Sequence, residues 1–361
     1  MKALIAAGGR STRLRPITWT INKHLIPLAN KPMLEHVIEK ITEAGVTEIA
    51  ININPGETEI MTSYFGDGSR WGAKIVYIEQ VGGAKGIAHA VNNAQDFLRG
   101  DSFIFFLGDN IVLGSIKKMK EKYEQENLDC LVTLSRVKDP QRFGVPEFDA
   151  EKKIIRVIEK PKDPPSPFAV TGIYFFSQEF FEGFKNIQPS ARGEYEITDM
   201  ITWYIQAGKK VGYEEITGWW KDTGTPEALI EGNALIMADT PKSAFTIESE
   251  VPVEAQIQGY VKIGKNVKIT ADSLIRGPVV IGDDCEIVSS YVGPYTSIGE
   301  STIIRGAEVE HSIIFKGVKI DTPIRIVDSL LGQNAQIVNA TCTHPKSGHR
   351  MVIGDNSRVE L

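Results

Sequence analysis

Short apolar runs and longer amphipathic stretches alternate along the first two thirds of the chain. Lys2–Ala7, Glu48–Ile53, Lys74–Ile78 and Ser102–Leu107 string apolar and β-branched side chains together and read as strands. Between them, Met33–Ala44 and Ile87–Leu98 repeat apolar residues at three-to-four spacing, the signature of one helix face. Such alternation from Met1 to near Ala238 predicts a Rossmann-like α/β domain with a mixed, mostly parallel sheet and right-handed crossovers. The stretch from Cys130 to Phe176 reads instead as strands joined by Pro-rich loops, including Lys162-Asp-Pro-Pro-Ser-Pro167, and is expected to form an inserted, substrate-facing lobe.

After about Thr240 the period changes. Val251, Ile257, Ile263, Ile269, Ile275, Ile281 and Ile287 each stand six residues after the last, and the spacing resumes at Ile298/Ile304, at Ile314/Ile320/Ile326 and at Ile353/Val359. Six matches neither a helix nor an isolated strand; it matches the coil of a left-handed parallel β-helix of hexapeptide repeats, each aliphatic residue pointing inward. Two domains follow, expected at 1–240 and 241–361.

Composition sets bounds on partners and place. With 361 residues, 42% hydrophobic and 24% charged, the chain fits a soluble globular protein and excludes disorder or a coiled coil. Forty Lys and Arg against 46 Asp and Glu leave a formal charge of -6, so no global basic field exists to hold a nucleic acid, and any bound phosphate needs local positive charge. Cys130, Cys285 and Cys342 have no paired spacing, which argues against a disulfide framework or a zinc site. No stretch approaches the roughly 20 apolar residues of a membrane span, and Ala3–Ala7 is shorter than a signal-peptide core of about 7–15 residues. A cytoplasmic protein without membrane partners is the expectation.

That local charge exists. The first strand runs into Gly8-Gly-Arg-Ser-Thr-Arg-Leu-Arg-Pro16, a loop whose glycines let backbone approach a phosphate or base and whose Arg10, Arg13 and Arg15, with Lys23 beyond, form an anion site. It is neither a dinucleotide fingerprint nor a P-loop; the alternative is a solvated basic turn. Asp109, after the fourth strand, and Asp222, in Trp219-Trp-Lys-Asp222, are able to meet on one Mg²⁺, although either alone also suits a turn or helix cap. Gln80 to Gly86 offers a carboxamide to a pyrimidine edge, Glu159-Lys160 an acid and a base to a sugar and its phosphate, and Arg192 a phosphate contact. Ordinary surface ion pairs explain each of these equally well on its own.

The set as a whole resembles the sugar-1-phosphate nucleotidyltransferases, and within them the long-form glucose-1-phosphate thymidylyltransferases. The resemblance rests on Ala6-Ala-Gly-Gly-Arg-Ser-Thr-Arg-Leu14, Gly86-Ile-Ala-His-Ala90, Leu107-Gly-Asp-Asn110, Phe143-Gly-Val145, Glu159-Lys-Pro161, Arg192-Gly-Glu194, Glu196-Ile-Thr-Asp199, Trp220-Lys-Asp-Thr-Gly224 and the ending Val352–Leu361. It implies that Gly8, Gly9, Gln80 and Gly86 hold the base, Arg13 and Lys23 contact the triphosphate and transferred phosphate, and Asp109 and Asp222 ligate Mg²⁺. It further implies that Gly144, Glu159, Val170 and Tyr174 line the sugar, with Lys160 and Arg192 on its phosphate. The implied reaction converts dTTP and α-D-glucose 1-phosphate to dTDP-glucose and diphosphate. Three departures stand out: Ser11 where glycine is usual, Asn22 where proline is usual, and a Gln80–Gly86 loop one residue longer.

Rival expectations are UTP in place of dTTP, an acetyltransferase activity of the β-helix with His311, His344 or His349 as base, and a binding protein without catalysis. β-Helices of this kind also associate through flat faces, which predicts a homo-oligomer.

Overall fold

The structure, a computed structural model, describes residues 1–9 and 11–339. Arg10, Cys342, His344, His349, Ile353, Val359 and the ending Val352–Leu361 lie outside the described residues. The chain forms two compact units: one joins the opening strand to Met33–Asp222, the other joins Ser11–Pro32 to the chain from Thr223 onward. The boundary expected at 240/241 marks where the sequence pattern changes, whereas the packing boundary assigns two earlier segments to the unit of the repeats.

In the first unit the strands are β1 (Lys2–Ala6), β2 (Glu48–Ile53), β3 (Lys74–Glu79), β4 (Phe103–Leu107), β5 (Asn110–Val112) and β6 (Cys130–Arg136), then β7 (Gly144–Phe148), β8 (Ile154–Glu159), β9 (Phe168–Phe176), β10 (Val211–Glu215) and β11 (Trp220–Asp222). Its helices are α1 (Met33–Glu43), α2 (Thr58–Phe65), α3 (Ile87–Asn93), α4 (Gln95–Leu98), α5 (Lys117–Gln125), α6 (Glu179–Asn186) and α7 (Ile197–Gln206). One sheet runs in the order β10-β6-β9-β4-β1-β2-β3. Strands β4, β1, β2 and β3 are parallel, as are β6 and β10, while β9 is antiparallel to both neighbours. Ala3, Leu4 and Ile5 are all buried, so side chains on opposite faces of β1 both find cover, as in a sheet layered by helices.

The segment from Cys130 to Phe176 departs from expectation. Only β7 and β8 stand apart as a hairpin; β6 and β9 join the main sheet. The reason is apolar continuity. Cys130, Leu131, Val132, Ile173, Phe175 and Phe176 are fully buried, and Ile173–Phe176 pair with Phe103–Phe106 of β4. Phe103, Phe176 and Phe180 then build an aromatic core with ring centroids 5.0–5.8 Å apart.

The second unit contains the expected β-helix, three parallel sheets of five strands each. Three aliphatic stacks run through it in register: Ile257-Ile275-Val292-Val309-Ile326, Ile263-Ile281-Ile298-Ile314-Leu331 and Ile269-Ile287-Ile304-Ile320-Ile337. Where the period of six lapses, one side of the coil is shorter by a residue, and Val292, Val309, Ile314 or Leu331 takes the inward position. Helix α8 (Pro226–Asp239) is capped by Thr225, whose hydroxyl oxygen accepts Ala228 N–H. Its buried Asn233 donates to Tyr295 O at 3.0 Å and accepts from Ser297 Oγ at 3.0 Å and Ala29 N–H at 2.8 Å. These bonds tie α8 and the 11–32 segment to the repeats. Among the described residues no helix is long and apolar enough to cross a membrane.

Candidate active site

The loop after β1 is shaped by Asn54, which follows β2 directly. Gly9, at a φ of 117° that favours glycine, donates its N–H to Asn54 Oδ1 at 2.9 Å. Asn54 Nδ2 donates in turn to Gly9 O at 3.3 Å and to Glu57 Oε2 at 3.1 Å. A Cβ on Gly8 would lie 3.5 Å from Gln80 Oε1, so Gly8, Gly9 and Gln80 gather at one sheet edge. Gln80 Nε2 donates to Gly83 O at 3.0 Å, which folds the longer loop back on itself. Gly86 is fixed by sterics: its φ is 98°, and a Cβ there would stand 2.5 Å from Tyr195 O. Tyr195 N–H donates to Lys85 O at 2.7 Å, joining this loop to the segment that carries Arg192.

Strand pairing runs the backbone at Asp222 alongside the backbone that follows Asp109. Strands β5 and β11 are antiparallel, with Asp222 opposite Asn110, the residue that follows Asp109. Asn110 Nδ2 donates to Asp109 Oδ1 at 2.7 Å, and Trp220 Nε1–H donates to Asn110 Oδ1 at 2.6 Å. Asn110 is buried, and a Cβ on Gly172 of β9 would press on it at 2.8 Å. Asn110, held by Trp220 and packed close to Gly172, therefore positions the Asp109 carboxylate without being among the expected ligands. Among the described residues no group of three or more His, Cys, Asp or Glu is arranged to hold a metal. Asp109 and Asp222 offer two carboxylates at the ends of these strands, and one or two carboxylates with substrate phosphates completing the shell are a donor set that suits Mg²⁺.

The Phe143 ring meets Trp220 edge-on at 5.4 Å, linking this pair to the β7–β8 hairpin. There Gly144 pairs with Glu159. Lys160, at a φ of 45°, places Nζ 3.3 Å from Glu159. Arg192 reaches Glu159 at 3.4 Å and Glu194 at 3.3 Å, and binds Glu196 at 2.8 Å. Burial raises the Glu159 pKa, Lys160 offsets part of this, and the Glu196 charge adds to it. Burial opposes the Arg192 charge, but hydrogen bonding to Glu196 together with the charges of Glu196, Glu194 and Glu159 outweighs it, and the pKa is raised. Val170 and Tyr174 lie in the apolar core, Tyr174 stacked on Phe105 and Phe176. Burial and then the Glu159 charge hold the Tyr174 hydroxyl well above its ordinary pKa.

Arg13 and Lys23 belong to the second unit. Arg13 is exposed in a short 3-10 turn, Thr12–Leu14, that begins after Ser11. Ser11 has a φ of 43°, a left-handed conformation that glycine adopts more easily than serine. Lys23 is buried at the start of another such turn, Lys23–Leu25, capped by Asn22, whose side chain accepts His24 N–H at 2.9 Å. His311 sits at a β-helix corner with Nδ1 hydrogen-bonded to Asp328 one coil on. Cys130 and Cys285 are buried free thiols.

Residues 2–239 match the family described as nucleotidyl transferase. The chain belongs to that family. It is 39% identical to the low-salt glycan biosynthesis nucleotidyltransferase Agl11 of Haloferax volcanii, with 100% of both chains covered. It is also 39% identical to a glucose-1-phosphate thymidylyltransferase of Streptomyces griseus, covering 100% of this chain and 99% of that one. A crystal structure of a protein described as a glucose-1-phosphate thymidylyltransferase, from Bacillus anthracis with bound sucrose, is similar at a TM-score of 0.62 and 40% identity over 65% of this chain and 94% of that one. In this nucleotidyl transferase Asp109, Asp222 and the Glu159–Arg192 cluster all lie on the unit that holds the α/β sheet.

Proposed function

We propose that the enzyme transfers a thymidylyl group from dTTP to α-D-glucose 1-phosphate, forming dTDP-glucose and diphosphate. The observation that supports this reading is the pairing of β5 with β11, in which Asp222 stands opposite Asn110, the residue after Asp109. The choice of dTTP and glucose 1-phosphate is supported by the name of the Streptomyces griseus relative, which the chain matches from end to end.

A sugar 1-phosphate is already an anionic nucleophile, so no Ser, Cys or His has to be activated. The task is to bring two anions together and to stabilise charge in the transition state. Mg²⁺, when bound to Asp109 and Asp222, supplies charge neutralisation at the α-phosphate. Gly8, Gly9, Gln80 and Gly86 hold the base, and Arg13 and Lys23 contact the triphosphate. Gly144, Glu159, Val170 and Tyr174 shape the sugar subsite, with Lys160 and Arg192 on the sugar phosphate. Val170 and Tyr174 act from the core, as the wall behind Glu159.

Diphosphate release, measured with dTTP or UTP against glucose, galactose and N-acetylglucosamine 1-phosphates, tests the reading. The highest kcat/KM is expected for dTTP with glucose 1-phosphate. A preference for UTP would overturn the thymidylyl assignment, and release without any sugar phosphate would overturn the transfer itself.

A further inference from the structure

Arg192 is the sugar-phosphate contact of the proposed reading, yet much of its guanidinium is already committed. Nη2 donates to both oxygens of Glu196, at 2.8 and 2.9 Å, and Nε donates to Oε1 at 3.2 Å. Ser190 Oγ donates to the same Oε1 at 2.7 Å and accepts Arg192 N–H at 3.2 Å. The turn closes through Ser190 N–H to Glu194 O and Gly193 N–H to Ser190 O, both at 2.8 Å. Glu196 is only 5% exposed and stands at the N-cap of α7. A carboxylate so far from water needs its charge and lone pairs met, and Arg192 and Ser190 meet them.

A guanidinium carries five N–H groups. Those on Nε and Nη2 face carboxylates, and no hydrogen bond from Nη1 is present among the described residues, while the Arg192 side chain remains 43% exposed. We infer that Glu196 is a positioning residue for sugar-phosphate recognition: it grips one edge of Arg192 and leaves the Nη1 edge for a phosphate oxygen. The inference rests on the reading of Arg192 as a phosphate contact. Without the Glu196 charge, Nη2 has Glu159 at 3.4 Å and Glu194 at 3.3 Å as its remaining partners. Arg192 would then be misplaced and Glu159, the proposed sugar contact, would be occupied.

The test is steady-state kinetics of Glu196→Gln, Glu196→Asp, Ser190→Ala and Arg192→Ala, with thermal midpoints recorded for each. Glu196→Gln is expected to raise KM for glucose 1-phosphate about tenfold or more, with a far smaller change in kcat and none in KM for dTTP. Glu196→Asp keeps the charge and recovers part of the loss. Ser190→Ala removes one donor to Glu196 and raises the same KM by less, which keeps the inference testable if Glu196→Gln does not fold. A KM for glucose 1-phosphate unchanged in both Glu196→Gln and Ser190→Ala would overturn it. So would a lowered midpoint with equal losses for both substrates. If Arg192→Ala leaves that KM unchanged, the reading of Arg192 itself fails; if Arg192→Ala raises it and Glu196→Gln does not, only the positioning role fails.

Discussion

The α/β unit buries carboxyl and amide side chains besides hydroxyls such as Thr133 and Thr171, and the β-helix, among the described residues, buries neither carboxyl nor amide side chains. In the first, Glu196, Asn110 and Asn52 are buried, and the carboxyls of Glu159 and Asp199 are pushed above their ordinary pKa values, chiefly by burial. In the β-helix the buried polar side chains among the described residues are hydroxyls, Ser273, Ser290, Thr296, Ser297, Thr302 and Ser312, and the charges form ladders on the outside. A buried hydroxyl needs one or two hydrogen bonds and asks little else of its surroundings. A buried carboxylate needs a fixed counter-charge, and such arrangements collect where substrates are handled. The difference separates the α/β sheet, which carries Glu159, Arg192 and Glu196, from the coils of the β-helix, where none of the proposed site residues lies.

The largest effect is expected at the carboxylate pair. Asp222→Asn or Asp109→Asn should lower kcat by about 10²–10³-fold, measured as diphosphate release, with a thermal midpoint close to that of the parent. A matching change in the β-helix should do the reverse. Ile304→Ala removes a fully buried stack residue and should cost about 2–5 kcal/mol in denaturant unfolding, with kcat of the folded enzyme unchanged.

Glu159 sharpens the comparison through pH. Its raised pKa means that it loses its charge at a higher pH than an ordinary carboxyl of 4.5 as the solution is acidified. The kcat/KM for glucose 1-phosphate should therefore begin to fall at a pH above that value. In Glu159→Gln that acid limb should vanish, and the rate at neutral pH should already be lower by about tenfold. The smallest effect belongs to the outer ladder. Arg305 pairs with Glu286 at 3.0 Å but is 40% exposed, so Arg305→Ala should change stability by about 0–1 kcal/mol and activity not at all.

Much of the fold is legible in the sequence because it is periodic. The six-residue spacing of Ile257, Ile263 and Ile269 announces the coil directly, and the five-residue steps into Val292, Val309, Ile314 and Leu331 are shortened sides that no fixed period can foresee. The Pro-rich loops between Cys130 and Phe176 hide the membership of β6 and β9 in the main sheet, since a Pro marks a connection and says nothing about which strands it connects. Asp109 and Asp222 stand out in the sequence as strand-end carboxylates. The pairing of Trp220 with Val112 and of Asp222 with Asn110, which brings their strands side by side, is encoded in no local pattern. The roles of Asn54 and Glu196 escape the sequence for a different reason: they act by holding Gly9 and Arg192 in place, and a residue that works through its neighbour shows no chemistry of its own. Asn54 follows β2 directly, and that strand-end position is its one available signal; Glu196 opens the Glu196-Ile-Thr-Asp199 motif, which reads there as no more than a helix start.

The most direct test of the central claim is the stoichiometry of Mn²⁺ bound in the presence of an unreactive dTTP analogue, followed by electron paramagnetic resonance. One tightly held Mn²⁺ per chain is expected in the parent, weakened in both Asp109→Asn and Asp222→Asn. Equal binding by all three proteins would contradict the account.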